Sequence, residues 1–285
     1  MSTASKSFFF DHSHHKLAVR DCDTPIDVEG FVGNESLSLP FSYDITFASS
    51  DRNIDPTTLL LKDASLTLQA PVEEAFGVPL PLRVIQGVVT GFKRLSSSRD
   101  ESRYALCLQP RLALLSRSHQ NRIYQDISVP GIVEKILRER HAMRGQDFVF
   151  TLVKEYPRRE QVMQYGEDDL TFISRLLAEV GIWFRFTADP KLNIDVVEFY
   201  DDQRHYATGP TLHAVPPSGM HDVGVESAWG WPAPIRWWKK SVKHRDYNYR
   251  TANADLTSSA DVTRGRYHYL RRGLPLRRQL SGGGQ

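Results

Sequence analysis

The stretch Gln164–Phe184 reads QYGEDDLTFISRLLAEVGIWF. Three adjacent acids, Glu167, Asp168 and Asp169, stand near its start. Such a run can hold a metal ion or begin a helix, and the residues that follow decide between the two. Leu170, Ile173, Leu177 and Val180 fall on one helical face, and Phe172 and Leu176 widen it. Gly181 stands where a helix C-terminal cap is expected, and the following IWFRF alternates as a strand does. The acids therefore sit at a helix N-terminus, where unpaired N–H groups and the dipole favour a carboxylate by about 0.3–1 kcal/mol. Successive helical side chains point about 100° apart, so three in a row do not converge easily on one ion. The reading is a helix with a charged start, and no metal site is expected.

The pattern extends outward from this helix. Upstream, SVPGIVEKILRERHA predicts a second helix with Ser128 as its cap and Pro130 in its first turn. Ile132, Val133, Ile136 and Leu137 form its apolar face, and DFVFTLV (Asp147 to Val153) then alternates. Residues 26–118 read as strands. Phe41, Tyr43, Ile45 and Phe47 recur at period two, as do Leu66 and Leu68. LRVIQGVVTGFKRL and SRYALCLQPRLALL predict a hairpin across the polar turn SSSRDES, with Gly87 and Gly91 marking a bulge or bend. A small antiparallel barrel or sandwich fits. Residues 192–257 return to strand patterns, in LNIDVVEFY, VGVESAWGW and IRWWKKSVKHRDYNYR.

The totals limit the possible functions. A chain of 285 residues with 40% hydrophobic content has the length of roughly two domains. A net charge of +2 does not describe a polycation that coats nucleic acid. Cys22 and Cys107 form no CxxC pair, which argues against a zinc ribbon or a disulfide framework. The start, MSTASKSFFFDHSHH, lacks the apolar core of a signal peptide, and no apolar run approaches a membrane span. The chain reads as soluble.

Several clusters invite chemistry. His12 and His14 share one side of an extended chain, but spacing supplies no third metal ligand. Asp195, Glu198, Asp201 and Asp202 lie close together, and the last pair reads more simply as a turn after a strand. Trp229, Trp231, Arg236, Trp237, Trp238, Lys239 and Lys240 mix aromatics with cations, which suits stacked bases or an interface between proteins. No P-loop, GxGxxG or GxSxG occurs. No catalytic residue, metal or cofactor is expected.

An ordered series of segments says more than periodicity. NESLSLPFSYDITFAS, GVVTGFKR, YALCLQPRLALLSRS and YPRREQVMQYGEDDLTFISRLLAEVGIWFRF together resemble the N-terminal half of VgrG, the spike protein of bacterial type VI secretion systems. VKHRDYNYRTANADL is similar to the segment that begins the family's second barrel region. The motif positions are Tyr156, Gln164, Tyr165, Glu167, Asp168, Asp169, Phe172, Arg175, Leu176 and Gly181, with Trp229, Trp231, Trp237 and Trp238 as candidate interface residues.

The resemblance implies an α+β, mainly β chain of the phage baseplate hub type, in which two β-barrel tube domains flank an α/β segment. The boundaries it implies are a first barrel at 1–118, the α/β segment at 119–190 and a second, incomplete barrel at 191–265. It implies a non-enzymatic homotrimer whose six barrels match the hexameric Hcp tube. Its other partners would be baseplate components, with no membrane insertion. It also implies assembly in the bacterial cytoplasm and export by the type VI apparatus without a signal peptide. The family's needle lies beyond the length of this chain, so a truncated form with a weakened trimer is expected. The basic stretch 266–285, in a segment with six arginines and no acid after Thr263, reads as a disordered or non-native tail. The alternatives are a phage tail baseplate hub of the same fold and, from another class, a nucleic-acid-binding module that uses the tryptophan stretch.

Overall fold

The computed structural model describes residues 15–69, 81–209, 213–214, 227–228, 241–246 and 249–261. The expectations for His12, His14, Trp229, Trp231, Trp237, Trp238 and the basic tail lie outside the described residues.

Six strands form one antiparallel sheet: β1 (His15–Val19), β2 (Asp27–Ser36), β3 (Leu39–Ser49), β4 (Asp63–Gln69), β5 (Pro81–Ser97) and β6 (Ser102–Gln109). Their spatial order is β1-β4-β5-β6-β3-β2. The sheet curls until its two edge strands meet, with the His15 ring edge-on to Phe31 at 5.3 Å. The period-two residues Phe41, Tyr43, Ile45, Phe47, Leu66 and Leu68 all turn inward and are buried together. Each such side chain contributes about 1.5–3 kcal/mol of burial, so their alternation fixes which face of the sheet is inside.

The two glycines of β5 do different things. Gly91 sits at a shift of register against β6, and such a bulge increases the curl. Gly87 pairs regularly with Ala64, but a Cβ there would come within 2.5 Å of the Gln109 carbonyl oxygen. Its role is close backbone approach. The strand reading of residues 110–118 is corrected. Pro110 cannot donate to a ladder, β6 ends at Gln109, and Arg111–Arg117 winds as a 3-10 helix that buries Leu112, Ala113 and Leu115.

The next unit mixes helix and strand. β7 (His119–Ile127) and β9 (Arg159–Asp168) pair as an antiparallel ribbon. Between them come α1 (Val129–Lys135), a π-helical turn at Ile136–Arg140, and β8 (Phe148–Thr151). α2 (Asp169–Val180) follows, then β10 (Trp183–Asp189) and β11 (Ile194–Tyr200). β11 pairs antiparallel with β10 and parallel with β8, in a three-stranded sheet. The segment from Ile194 to Tyr200 thus belongs to the α/β sheet, past the boundary expected at 190. One core joins Ile132, Val133, Ile136 and Leu137 to Phe172, Ile173, Leu176, Leu177, Phe184 and Phe199.

Three contacts fasten the curled sheet to this unit. The Ser38 N–H at the β2–β3 turn donates to the Phe184 carbonyl at 2.9 Å, and the Phe184 N–H donates to Ser38 Oγ at 3.3 Å. The Phe41 and Phe186 rings meet edge to face at 5.4 Å. The Arg111 N–H donates to Asp195 at 2.9 Å, while its guanidinium pairs with Asp63, which also pairs with Arg20. Beyond residue 209, the described strands are β12 (His213–Ala214) with β13 (Ser227–Ala228), and β14 (Ser241–Asp246) with β15 (Leu256–Asp261).

Candidate functional site

Of the motif residues, Gln164, Glu167, Asp168, Asp169 and Arg175 meet around the start of α2 and form a latch there. The three acids face three different ways. Asp168 is the N-cap, and its carboxylate accepts the Thr171 N–H at 2.8 Å and the Thr171 hydroxyl at 2.7 Å. Glu167 turns outward and pairs with Arg175 at 2.6 Å. Asp169 turns inward and is 0% exposed. It meets Arg140 and His141, each at 2.7 Å, and accepts from Gln164 Nε2 at 2.8 Å. Asp169 therefore anchors α2 to the end of the π turn and to β9. Its role exceeds the dipole effect expected for a helix-start acid, because a buried carboxylate needs partners to remain charged.

Arg175, Phe172 and Leu176 support this latch, whereas Tyr156 and Tyr165 lie apart from it. Arg175 bonds Glu167, Glu179 and the Met163 carbonyl, and its guanidinium lies over the Phe172 ring at 5.3 Å. Its hydrogen bond to Glu167 holds its proton more firmly than usual, against a smaller opposing effect of burial. Phe172 and Leu176 are fully buried beneath it. Gly181 ends the helix at φ 75°, a left-handed backbone that favours glycine. Tyr156 donates to Asp201 at 3.0 Å, and burial and this bond raise its phenol. Tyr165 is 81% exposed, and its side chain stands away from the latch.

The acids of the β11 region also separate. Burial pushes the Asp195 carboxyl up to about 6, against the N–H of Arg111. Glu198 pairs with Arg185 at 2.7 Å. Asp201 accepts the N–H groups of Val153 and Lys154 and so fixes the loop after β8. Asp202 caps the 3-10 turn Gln203–His205, and its bonds to Arg204 hold its carboxyl at about 2. Among the described residues no group of three His, Cys, Asp or Glu side chains is placed to share a metal ion. What these groups do together is lock elements to one another.

Arg140, His141 and the Arg111–Asp195 contact were not singled out in the sequence. Asp169 and His141 are 28 positions apart, and Asp195 and Arg111 are 84 apart. No local spacing signals such pairs. The only hint was the charged end of RERHA, which reads equally well as a solvated helix terminus.

A family model described as the phage tail baseplate hub (GPD) matches residues 34–276. The type VI secretion system spike protein VgrG4b of Pseudomonas aeruginosa is 32% identical over 215 residues, covering 75% of this chain and 24% of its own length. VgrG5 of the same organism is 31% identical over 216 residues, covering 75% and 25%. The chain thus spans about a quarter of the length of these relatives. Among solved structures, the E. coli c3393 protein is 60% identical, with a TM-score of 0.62 over 69% of this chain and 52% of its own. It is described as a component of the type VI secretion system with structural similarity to the T4 bacteriophage tail proteins gp27 and gp5.

Proposed function

This chain belongs to the phage tail baseplate hub (GPD) family, and we propose that it is the hub base of a type VI secretion spike, with a structural rather than catalytic role. The observation that carries the secretion reading over a phage tail is the 60% identity to a structure described as a type VI secretion component. In this reading three chains form a ring. Each contributes the curled sheet of β1 to β6 and a second, incomplete barrel from the chain that follows the α/β unit. Six barrels then match a hexameric Hcp tube. A ring of this kind closes at three through heterologous contacts, so no self-complementary patch is needed. Assembly takes place in the bacterial cytoplasm, and the apparatus itself exports the spike.

The fastened joint supports a load-bearing part. Backbone bonds at Ser38, ring packing at Phe41 and the Arg111 contacts all resist relative movement of the two units. Among the described residues no helix is long and apolar enough to cross a membrane. Size-exclusion chromatography with purified Hcp hexamers tests the proposal. The chain is expected to elute with the hexamer, and separate elution at micromolar concentrations of both counts against it.

A further inference from the structure

A cleft of about 370 Å³ opens between β7 and the end of α1. Arg122, Ile123, Tyr124, Gln125, Ile127 and Lys135 line it. Tyr124 makes a firm wall, since it is buried and its ring stacks on Phe172 at 5.7 Å. No carboxylate lines the cleft. Arg122 and Lys135 are both exposed, and neither has an ion-pair or hydrogen-bond partner among the described residues. The acids nearest to them in sequence are engaged elsewhere: Asp126 pairs with Arg158 at 3.1 Å and Glu134 with Arg138 at 2.8 Å. Glu139 stands four residues after Lys135, but the turn between them is π-helical and the two do not pair. Two cations thus share one cleft without a counter-charge.

The rest of the lining is neutral and partly apolar. Ile123 is 59% exposed and stands opposite Met163, which is 50% exposed, so an aliphatic strip runs from the cleft across the ribbon of β7 and β9. Gln125 and its cross-strand partner Gln161 extend the strip with uncharged amides. An exposed ion pair contributes little by itself, so the occupant must use the strip as well as the cations. A nucleic-acid backbone would meet the cations through its phosphates and leave the strip unused. A protein segment that sets carboxylates beside aliphatic side chains uses both.

We propose that this cleft docks an acidic segment of a partner protein. Carboxylates of the segment accept from Arg122 and Lys135, and an apolar side chain beside them lies on Ile123 and Met163. Attraction between unlike charges steers the encounter and fixes the orientation, and the apolar contact supplies the remaining affinity. The inference rests on the two lone cations and the strip beside them, and it stands whether or not the chain forms a ring.

The test is fluorescence anisotropy of a labelled peptide of repeated Glu-Leu-Ser on the folded full chain. The controls are the same peptide with Gln in place of Glu and a labelled single-stranded DNA of mixed sequence. The Glu peptide is expected to bind saturably and less tightly as salt rises, and the Gln peptide to bind at least about threefold more weakly. Arg122→Gln with Lys135→Gln is expected to weaken binding of the Glu peptide about threefold to tenfold. Lys93→Gln with Lys191→Gln removes the same charge at exposed sites elsewhere and is expected to leave binding unchanged. Ile123→Asp puts a like charge on the strip, at a side chain already open to solvent, and is expected to weaken binding at least as much as the first pair. Any of four results would overturn the proposal: no saturable binding of the Glu peptide, equal binding of the Gln peptide, equal effects of the two double variants, or tighter binding of the DNA than of the Glu peptide.

Discussion

Asp168 and Asp169 are neighbours with opposite fates, and the contrast tests the account at the scale of single residues. Asp168 caps an exposed turn, so Asp168→Ala is expected to cost about 1 kcal/mol. Asp169 is buried between Arg140 and His141, so Asp169→Ala leaves a buried cation short of its partner and is expected to cost about 3–5 kcal/mol. Urea denaturation of the two variants measures the difference, and equal small losses would mean that the buried cluster contributes nothing. The charged helix start was legible from local sequence, but which of the three acids caps it came only with the structure, where Asp168 accepts from Thr171. The buried cluster was not legible, because its members come from the π turn, β9 and α2, and only the fold brings them together.

Asp195 gives a pH-dependent counterpart. Its carboxyl titrates at about 6 in the folded chain against a usual value of 3.8, so the folded state holds the proton more tightly. Its stabilising contribution is therefore greatest below pH 4 and is lost as pH rises through 6, by on the order of 2–4 kcal/mol. In Asp195→Asn this contribution does not titrate. The stability of the native chain relative to the variant is expected to fall across that window, and a constant difference from pH 4 to pH 7 would contradict the burial argument.

At the scale of elements, α2 was read almost completely from its sequence. Acidic start, apolar stripe and terminal glycine are all local signals, and they agree. Leu176→Ala is expected to cost about 2–5 kcal/mol because the site is fully enclosed. Gly181→Ala is expected to cost about 1 kcal/mol from backbone strain alone, since an added Cβ meets no atom within 4 Å. A thermal midpoint unchanged in Gly181→Ala would show that the left-handed turn is not required. Three elements were less legible. The run after Pro110 kept the apolar content of a strand while losing its ladder. β11 has the alternation of any half-buried strand, and alternation does not say which sheet a strand joins. The π turn at Ile136–Arg140 has no pattern distinct from the α-helix it continues.

At the scale of the whole molecule, the joint between the curled sheet and the α/β unit decides the mechanics. Its hydrogen bonds, ring contact and ion pairs lie at separate points of the interface. The two units are expected to unfold in one cooperative transition, with fluorescence and circular dichroism coinciding. Two resolved transitions would show a hinge where the account has a brace. The fold order was legible chiefly through the family resemblance. Periodicity alone gave strands and helices without their neighbours.

Trimer formation is the central claim, and sedimentation velocity over a concentration series tests it most directly. Association must overcome roughly 4–15 kcal/mol of lost rigid-body freedom, so a monomer is expected at low concentration. Rising concentration is expected to shift it to a trimer, and Hcp hexamers to shift it further. A stable dimer with no trimer at any concentration, and no association with Hcp hexamers, would contradict the hub reading.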